Sequence, residues 1–517
     1  MRYATDTKSV STDSDSRTGS TPPLEHSLAK IIPSARFFAA DDILFSGVAA
    51  NSGSVTAGEL VVYRIGETCP EQLISEAMAR GAAGILTEQL LPSPLPQCIV
   101  GDAEFAMATI IAEANGRPDR QMLTIGVTGS AGKTTTTLLL SSLLRSRGVR
   151  TAYQTDLGDC DGVVQGTSAE SIPSGSELVQ WLADVNDANC EANVIELSSD
   201  QLRHGQYDAI EFDVLVVTGC DSPNQDFGPS SLHCAIDRLA TNGVVIAPAD
   251  DGKVMGVLQE SDVAMVTYGV RNAADVSAKI IDQSGGMTTL MISHEDTSAM
   301  METSLCGAAM AANHAASIMA GLMMKMELHE IVETLSRLRE VPGRGQRLES
   351  YEHATVIIDQ GGDTGRAAGA LRTARSLKAN GQLWCVLAVD CEDDPNSLAE
   401  YGKLLERFAN QTIVCSSTGN EGFLKASHCV LDGVERCSAM RLVSDRRRAI
   451  SWAMGHAKAN DTVLILGGPQ TKSAHQQRSE IKKVVQLVEM ERQELSEDVL
   501  TETIPKAPDG LKIYRAD

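Results

Sequence analysis

The stretch LTIGVTGSAGKTTTTLLLSSLLRSRG, Leu123 to Gly148, constrains this chain more than any other. A short apolar run enters a glycine-rich turn, Lys-Thr-Thr follows, and an apolar helical pattern comes next. A strand that ends in glycines and opens a helix builds an anion cradle, because successive N–H groups and the helix N-terminus point at one place. Gly126, Gly129 and Gly132 are expected to leave the backbone free to curl. Lys133 would then reach the β- and γ-phosphates of a nucleotide, and Thr134 would offer its hydroxyl to Mg2+. The common P-loop spacing needs a glycine where Val127 stands, so the motif present is the variant G-x-x-G-[ST]-x-G-K-T. A glycine-rich turn that binds nothing is the bland alternative. Strand, loop, Lys-Thr and helix in this order favour nucleotide binding.

At 517 residues the chain is too long for one core, and three domains are expected. Residues 1–28 are polar and lack apolar periodicity, which reads as a disordered tail. Residues 29–118 read as a small α/β N-terminal domain. Gly58–Ile65 is its strand candidate, and a helix follows with Pro70 near its start and Gly81 at its end. Asn115–Arg120 looks like a linker. Residues 119–343 alternate apolar, β-branched runs with helical ones, which implies a mostly parallel sheet covered on both faces: a central P-loop ATPase domain. Its Ala- and Met-rich segment near residues 308–326 reads as core helix. Val341–Gln346 breaks the pattern, and residues 344–490 repeat it as a Rossmann-like C-terminal domain. Residues 491–517 read as a loose tail. The fold class is α/β throughout.

A net charge of −24 argues against nucleic acid or an anionic membrane as partner, since both need basic surface. Twelve cysteines stand singly with no CxxC pair, which suits a reducing compartment and not a zinc site. The N-terminus has no apolar signal region, and no apolar run is long enough to span a membrane. A cytoplasmic monomer is the expectation.

IGVTGSAGKTTT resembles the ATP loop of the Mur ligases and folylpolyglutamate synthetases, and the pattern over about residues 40 to 490 is most similar to the tripeptide-synthetase (MurE) type. The resemblance implies an enzyme that activates a carboxylate as an acyl phosphate, joins it to an amine and releases ADP. It implies ATP and Mg2+ as cofactors and a small anionic substrate, such as a UDP-muramoyl peptide, with an amino acid as the amine. On the ATP side the match runs through Gly129, Ser130, Ala131, Gly132, Lys133, Thr134 and Thr135. VIELSSDQL resembles E-V-S-S-H-x-L, which makes Glu196 a Mg2+ ligand beside Thr134 and puts Asp200 in place of the histidine. Lys133, Glu196 and Asp200 are the implied catalytic set. Asn313, Arg344 and Asp359 match the adenine, phosphate and ribose contacts.

Elsewhere the chain departs from the pattern. In the first domain ANSGSVTAGELVVYRIG resembles the segment that holds uridine nucleotide in that family, with Asn51 and Gly53 standing for an Asp and an Arg. Ile236 stands where a carbamylated lysine would hold a second metal, with Asp237 one residue further on, and the run upstream matches only at Asp221. Gly361 and Gly362 replace an Ala-His pair after Asp359. Cys391, Glu392, Asp393 and Asp394 replace the cations of the amino-acid loop. Ser416–Gly422 replaces an arginine-bearing motif, while Asp445–Ile450 matches. Altered substrate specificity is one reading of these losses. The other is a nucleotide-binding pseudo-ligase acting as a scaffold or switch. A P-loop kinase or GTPase is disfavoured, because neither a Walker B strand nor a base-recognition motif follows.

Overall fold

The computed structural model describes residues 26–502 apart from 50, 67–68, 165, 167–172, 221–226, 285–286, 306, 349–353, 363, 378–380, 420–421, 437–438 and 470–473. Two compact units divide the chain at Arg117 and Pro118.

In the first unit a five-stranded sheet runs in the order Arg36–Phe38, Gln97–Ile99, Gly84–Thr87, Leu60–Tyr63, Val48–Ala49. The last four strands are parallel. Leu60–Tyr63 is buried at every position, as a parallel strand covered on both faces must be. The helix Pro70–Arg80 starts and stops where its proline and glycine predict, and Gly81 takes the left-handed cap at φ 76°. The chain is already ordered at His26. His26–Ser27 pairs with Leu44–Phe45, and Leu28 is fully buried, so the tail expected through residue 28 overran the first core residue. Residues 1–25 lie outside the described residues.

The second unit opens with a short helix, Pro118–Gln121, where a linker was expected. Asp119 is buried there and accepts a hydrogen bond from the Glu211 amide, which ties the segment to the sheet. A ten-stranded sheet follows. Leu123–Thr128 lies between Ala192–Glu196 and Phe212–Val217, and parallel pairing continues outward through Leu239–Pro248 and Met265–Gly269. The hairpin Thr151–Thr155/Gly158–Cys160 closes one edge. The antiparallel strands Val276–Ser284, Met287–His294 and Thr297–Thr303 extend the other. Neither edge element was anticipated from the sequence. The helix Lys133–Ser146 packs with Ala308–Met323 against this sheet, and Met319 sits in that core as expected.

A second sheet has the order Gln346–Leu348, Thr355–Asp359, Thr462–Leu466, Leu383–Val389, Gln411–Ser416, Met440–Leu442, parallel except at its first strand. The helix Ala474–Glu502 continues well past residue 490, where a loose tail was expected. Ile481, Val484, Val485 and Val488 fix its first half to the core of this second sheet. Residues 503–517 are outside the described residues.

Candidate nucleotide site

The central strand Leu123–Thr128 delivers its loop at the C-terminal edge of the parallel sheet, where open α/β sheets bind ligands. Two glycines make the loop possible. Gly129 has φ +136°, and a Cβ there would lie 2.3 Å from Thr218 Oγ1. Gly132 has φ +88°, and its Cβ would lie 2.4 Å from Asn313 Oδ1. Gly126 plays a different part from the one expected. It lies inside the strand, and its missing side chain makes room for Leu197 and Phe212. Ser130 is anchored, with amide and hydroxyl both donating to the Gly219 carbonyl at 2.8 and 3.1 Å. The helix Lys133–Ser146 begins directly after Gly132, so its positive end faces the loop.

The charged groups gather at that end. Lys133 is mostly buried, and its Nζ donates to the Gly129 carbonyl at 3.1 Å while standing 3.9 Å from Glu196 Oε1. Burial pulls the Lys133 pKa down, and the charge of Glu196 opposes this. Glu196 ends a strand beside the central one, in register with Val127. Burial pushes its carboxyl pKa up and the nearby Asp156 adds to that, against the pull of Lys133. Thr134 Oγ1 lies 2.9 Å from Glu196 Oε2 and 2.9 Å from Asp156 Oδ1. A hydroxyl has one proton, so it satisfies only one of these two carboxylate oxygens. Two carboxylates and a hydroxyl converging in this way fit a hard, oxygen-seeking cation such as Mg2+.

Asp156 was not anticipated. It sits in the turn of the edge hairpin, and nothing in TDLGD marks it as functional until that hairpin folds over Thr134. Burial raises its pKa, but Arg344 and the Thr134 bond outweigh that and hold it below the usual range. Arg344 donates to Asp156 Oδ2 at 2.7 Å, and the same nitrogen lies 3.5 Å from Thr134 Oγ1. It leaves a tight turn flanked by Gly343 and Gly345, both with positive φ. Asp359 ends its strand and accepts from the Gly345 and Gly361 amides at 2.9 and 2.8 Å, while burial pushes its pKa up. Ala131, Gly132, Thr135, Asn313, Arg344 and Asp359 line one cavity, together with Arg366, which no sequence motif indicated.

Thus the loop residues, Glu196, Asn313, Arg344 and Asp359 are brought together, and Asp200 is not. Its side chain is 73% exposed on the helix Ser199–Arg203, where Arg203 and His204 face it at 3.4 and 3.5 Å. Ser198 caps that helix, and Asp200 in its first turn faces solvent one turn away from its own partners, not Thr134. Ile236 is the last residue of the helix Pro229–Ile236, which stops before Asp237. Asp221 lies outside the described residues. Gly362, at φ +120°, leaves room for the Arg366 side chain.

Residues 127–321 match the Mur ligase middle domain, and residues 343–468 match the Mur ligase, glutamate ligase domain. This chain belongs to the Mur ligase family. Among similar proteins, the UDP-N-acetylmuramoyl-L-alanyl-D-glutamate–2,6-diaminopimelate ligase of Geobacillus kaustophilus is 27% identical over 440 residues, 81% of this chain and 88% of that one. The UDP-N-acetylmuramyl-tripeptide synthetase of Deinococcus radiodurans is 28% identical over 448 residues, 83% of this chain and 91% of that one. A solved UDP-N-acetylmuramoyl-L-alanyl-D-glutamate–2,6-diaminopimelate ligase shares the fold with a TM-score of 0.63 at 19% identity, over 89% of this Mur ligase chain and 99% of its own. Among the described residues no helix is long and apolar enough to cross a membrane.

Proposed function

We propose that this chain is an ATP- and Mg2+-dependent ligase that joins a carboxylate of a peptidoglycan-type precursor to an amine, with an altered amine site. One observation carries the reading. Lys133, Thr134, Glu196 and Arg344 converge within hydrogen-bonding or ion-pair distance at the loop of the central strand. In the reaction a substrate carboxylate takes the γ-phosphoryl group of ATP, ADP leaves, and the amine displaces phosphate from the acyl phosphate. Thr134, Glu196 and Asp156 would hold the Mg2+, which would offset the negative charge of the phosphate chain. Lys133 and Arg344 supply the cations for the phosphate chain, Asn313 and Asp359 face the cavity beside it, and burial of the cluster strengthens each of these interactions.

The altered amine site is argued from the second sheet. Asp390 accepts hydrogen bonds from Ser417 and Thr418, and Asp393 accepts from the Asp390 amide, so an acidic, self-bonded loop stands where the family pattern has cations. Ser416–Gly419 instead line a cavity of about 350 Å3 with Arg446 and Arg447. Arg446 donates to the Gly467 carbonyl at 2.7 Å and so has a fixed direction. These arginines are the local source of charge for an incoming carboxylate. The first unit carries a related change: Ser52, beside Asn51 and Gly53, hydrogen-bonds to Glu76, so an acid faces the segment that resembles a uridine-nucleotide site.

The test is ADP release by the purified chain across UDP-muramoyl peptides and a panel of amino acids. ADP and product should form with some pair, while diaminopimelate and lysine should turn over at least about 100-fold more slowly than in an ordinary tripeptide synthetase, the size of effect that mispositioning alone produces. Turnover of either within about tenfold of that control would refute the altered amine site.

A further inference from the structure

We infer that Asp156 is a positioning residue that exchanges partners. In the structure it holds Arg344; when nucleotide and divalent cation bind, it turns to the cation and frees the guanidinium for the phosphates. This rests on the ATP site proposed above.

Both oxygens of Asp156 are committed. Oδ1 faces Thr134 Oγ1 at 2.9 Å, and Oδ2 accepts from Arg344 at 2.7 Å. The other side-chain contacts of Arg344 are longer, Gln360 Oε1 at 3.4 Å and Thr134 Oγ1 at 3.5 Å, so Asp156 is its strongest tether. A guanidinium suits phosphate because its fork presents two parallel donors. An Nη2 already spent on Asp156 is not available for that fork. Lys133 is likewise turned back onto its own loop, at the Gly129 carbonyl.

The charge count leads to the exchange. The carboxylates Asp156 and Glu196 stand against Lys133 and Arg344, with Arg366 acting on Asp156 from further off and Asp359 acting on Arg344. If Lys133 and Arg344 move to phosphate oxygens, Asp156 and Glu196 are left facing each other across one hydroxyl, with a single proton between three oxygens and the more distant Arg366 as their remaining cation. That arrangement is repulsive unless a divalent cation joins it. Phosphate binding by Arg344 and cation binding by Asp156 are therefore linked, each making the other more favourable. The Asp156 amide, 3.3 Å from Glu196 Oε2, keeps the two carboxylates at a fixed spacing. Arg344 sits one residue inside the start of the second matched domain, so its release is felt at the junction between the two sheets.

The experiment is calorimetric binding of the non-hydrolysable β,γ-imido analogue of ATP to the full chain, in EDTA and in excess Mg2+. For wild type, Mg2+ should tighten binding. In Asp156→Asn, metal-free binding should be tighter than in wild type, because Arg344 is released and a negative charge is gone. The Mg2+-induced gain should shrink about tenfold, or about 1.4 kcal/mol. In an Arg344→Gln background, Asp156→Asn should no longer improve metal-free binding. A purely structural Asp156 would weaken both conditions alike; a Mg2+ gain within about twofold of wild type, or a metal-free gain that persists without Arg344, overturns the exchange. Asp156→Ser replaces the asparagine variant if that one fails to fold. No binding by wild type in either condition sinks the nucleotide reading and the exchange with it. Wild-type binding with an unchanged Mg2+ gain in the variant sinks the exchange alone.

Discussion

Gly132→Ala isolates what the loop geometry is worth. Gly132 has φ +88°, and an added Cβ would lie 2.4 Å from Asn313 Oδ1. Holding alanine in that conformation costs about 1–3 kcal/mol. The colliding atom is the far end of a side chain, so Asn313 is expected to swing aside and not to break the fold, and in doing so it leaves the cavity it lines. At about 2–4 °C per kcal/mol for a domain of this size, the melting temperature should fall by roughly 2–12 °C. Wild type at ATP–Mg2+ about 100-fold above Kd gains about 2.7 kcal/mol, a rise of roughly 5–10 °C. Gly132→Ala should show almost none of that rise. Gly148→Ala is the control: its φ is +80°, no atom lies within 4 Å of the new Cβ, and it stands at the far end of the same helix. It should lose stability through backbone strain alone and keep the full nucleotide response. The assay is differential scanning fluorimetry with and without ATP–Mg2+. A Gly132→Ala protein that melts within a degree of wild type and keeps its nucleotide rise would refute the reasoning.

Two further outcomes concern titration. Burial, helped by the charge of Asp156, raises the Glu196 pKa above its ordinary 4.5, so the folded chain disfavours the charged form and ionisation costs stability as pH rises through and above 4.5. Glu196→Gln should therefore melt higher than wild type at pH 8, lose that advantage near pH 4, and lose Mg2+-dependent nucleotide binding; a variant less stable at pH 8 counts against the assignment. His314 is fully buried, with its ring on Thr303 Oγ1, and burial lowers its pKa to about 4. The unfolded chain then takes up a proton first, so stability is lost as pH falls from 6.5 toward 4. At about 1.4 kcal/mol per unit the loss is about 3 kcal/mol. Urea unfolding at pH 7, 5 and 4 should show that loss in wild type and a flatter profile in His314→Gln.

The parts of this protein visible in its sequence were those set by local chemistry. A strand, two left-handed glycines and Lys-Thr belong to one continuous segment, so the loop at Gly129–Thr135 was readable before any fold was known. Glu196, Asn313, Arg344 and Asp359 were readable because each sits in a short motif at a strand end, a turn or a helix. Asp156 and Arg366 carry no such motif; their roles come from which surface the edge hairpin and the helix Thr364–Ser376 present to the loop, and that is settled by packing alone. Asp200 shows the opposite case: it occupies a motif position, but the short helix after Glu196 turns its side chain to solvent, where Arg203 and His204 face it. Gly126 was read with Gly129 and Gly132 as leaving the backbone free to curl, while in the sheet its use is to let Leu197 and Phe212 approach.

The central claim is that the cluster at Lys133, Thr134 and Glu196 activates a carboxylate with ATP. Hydroxylamine in place of the amino acid tests it most directly, because this small nucleophile traps an acyl phosphate as a hydroxamate without needing the amine site. The purified chain, given ATP, Mg2+ and a panel of UDP-muramoyl peptides, should release ADP and form hydroxamate in equal amounts with at least one of them, and Lys133→Met should abolish both. Tight ATP–Mg2+ binding with neither ADP nor hydroxamate from any member of the panel would contradict the account and leave a nucleotide-binding scaffold in its place.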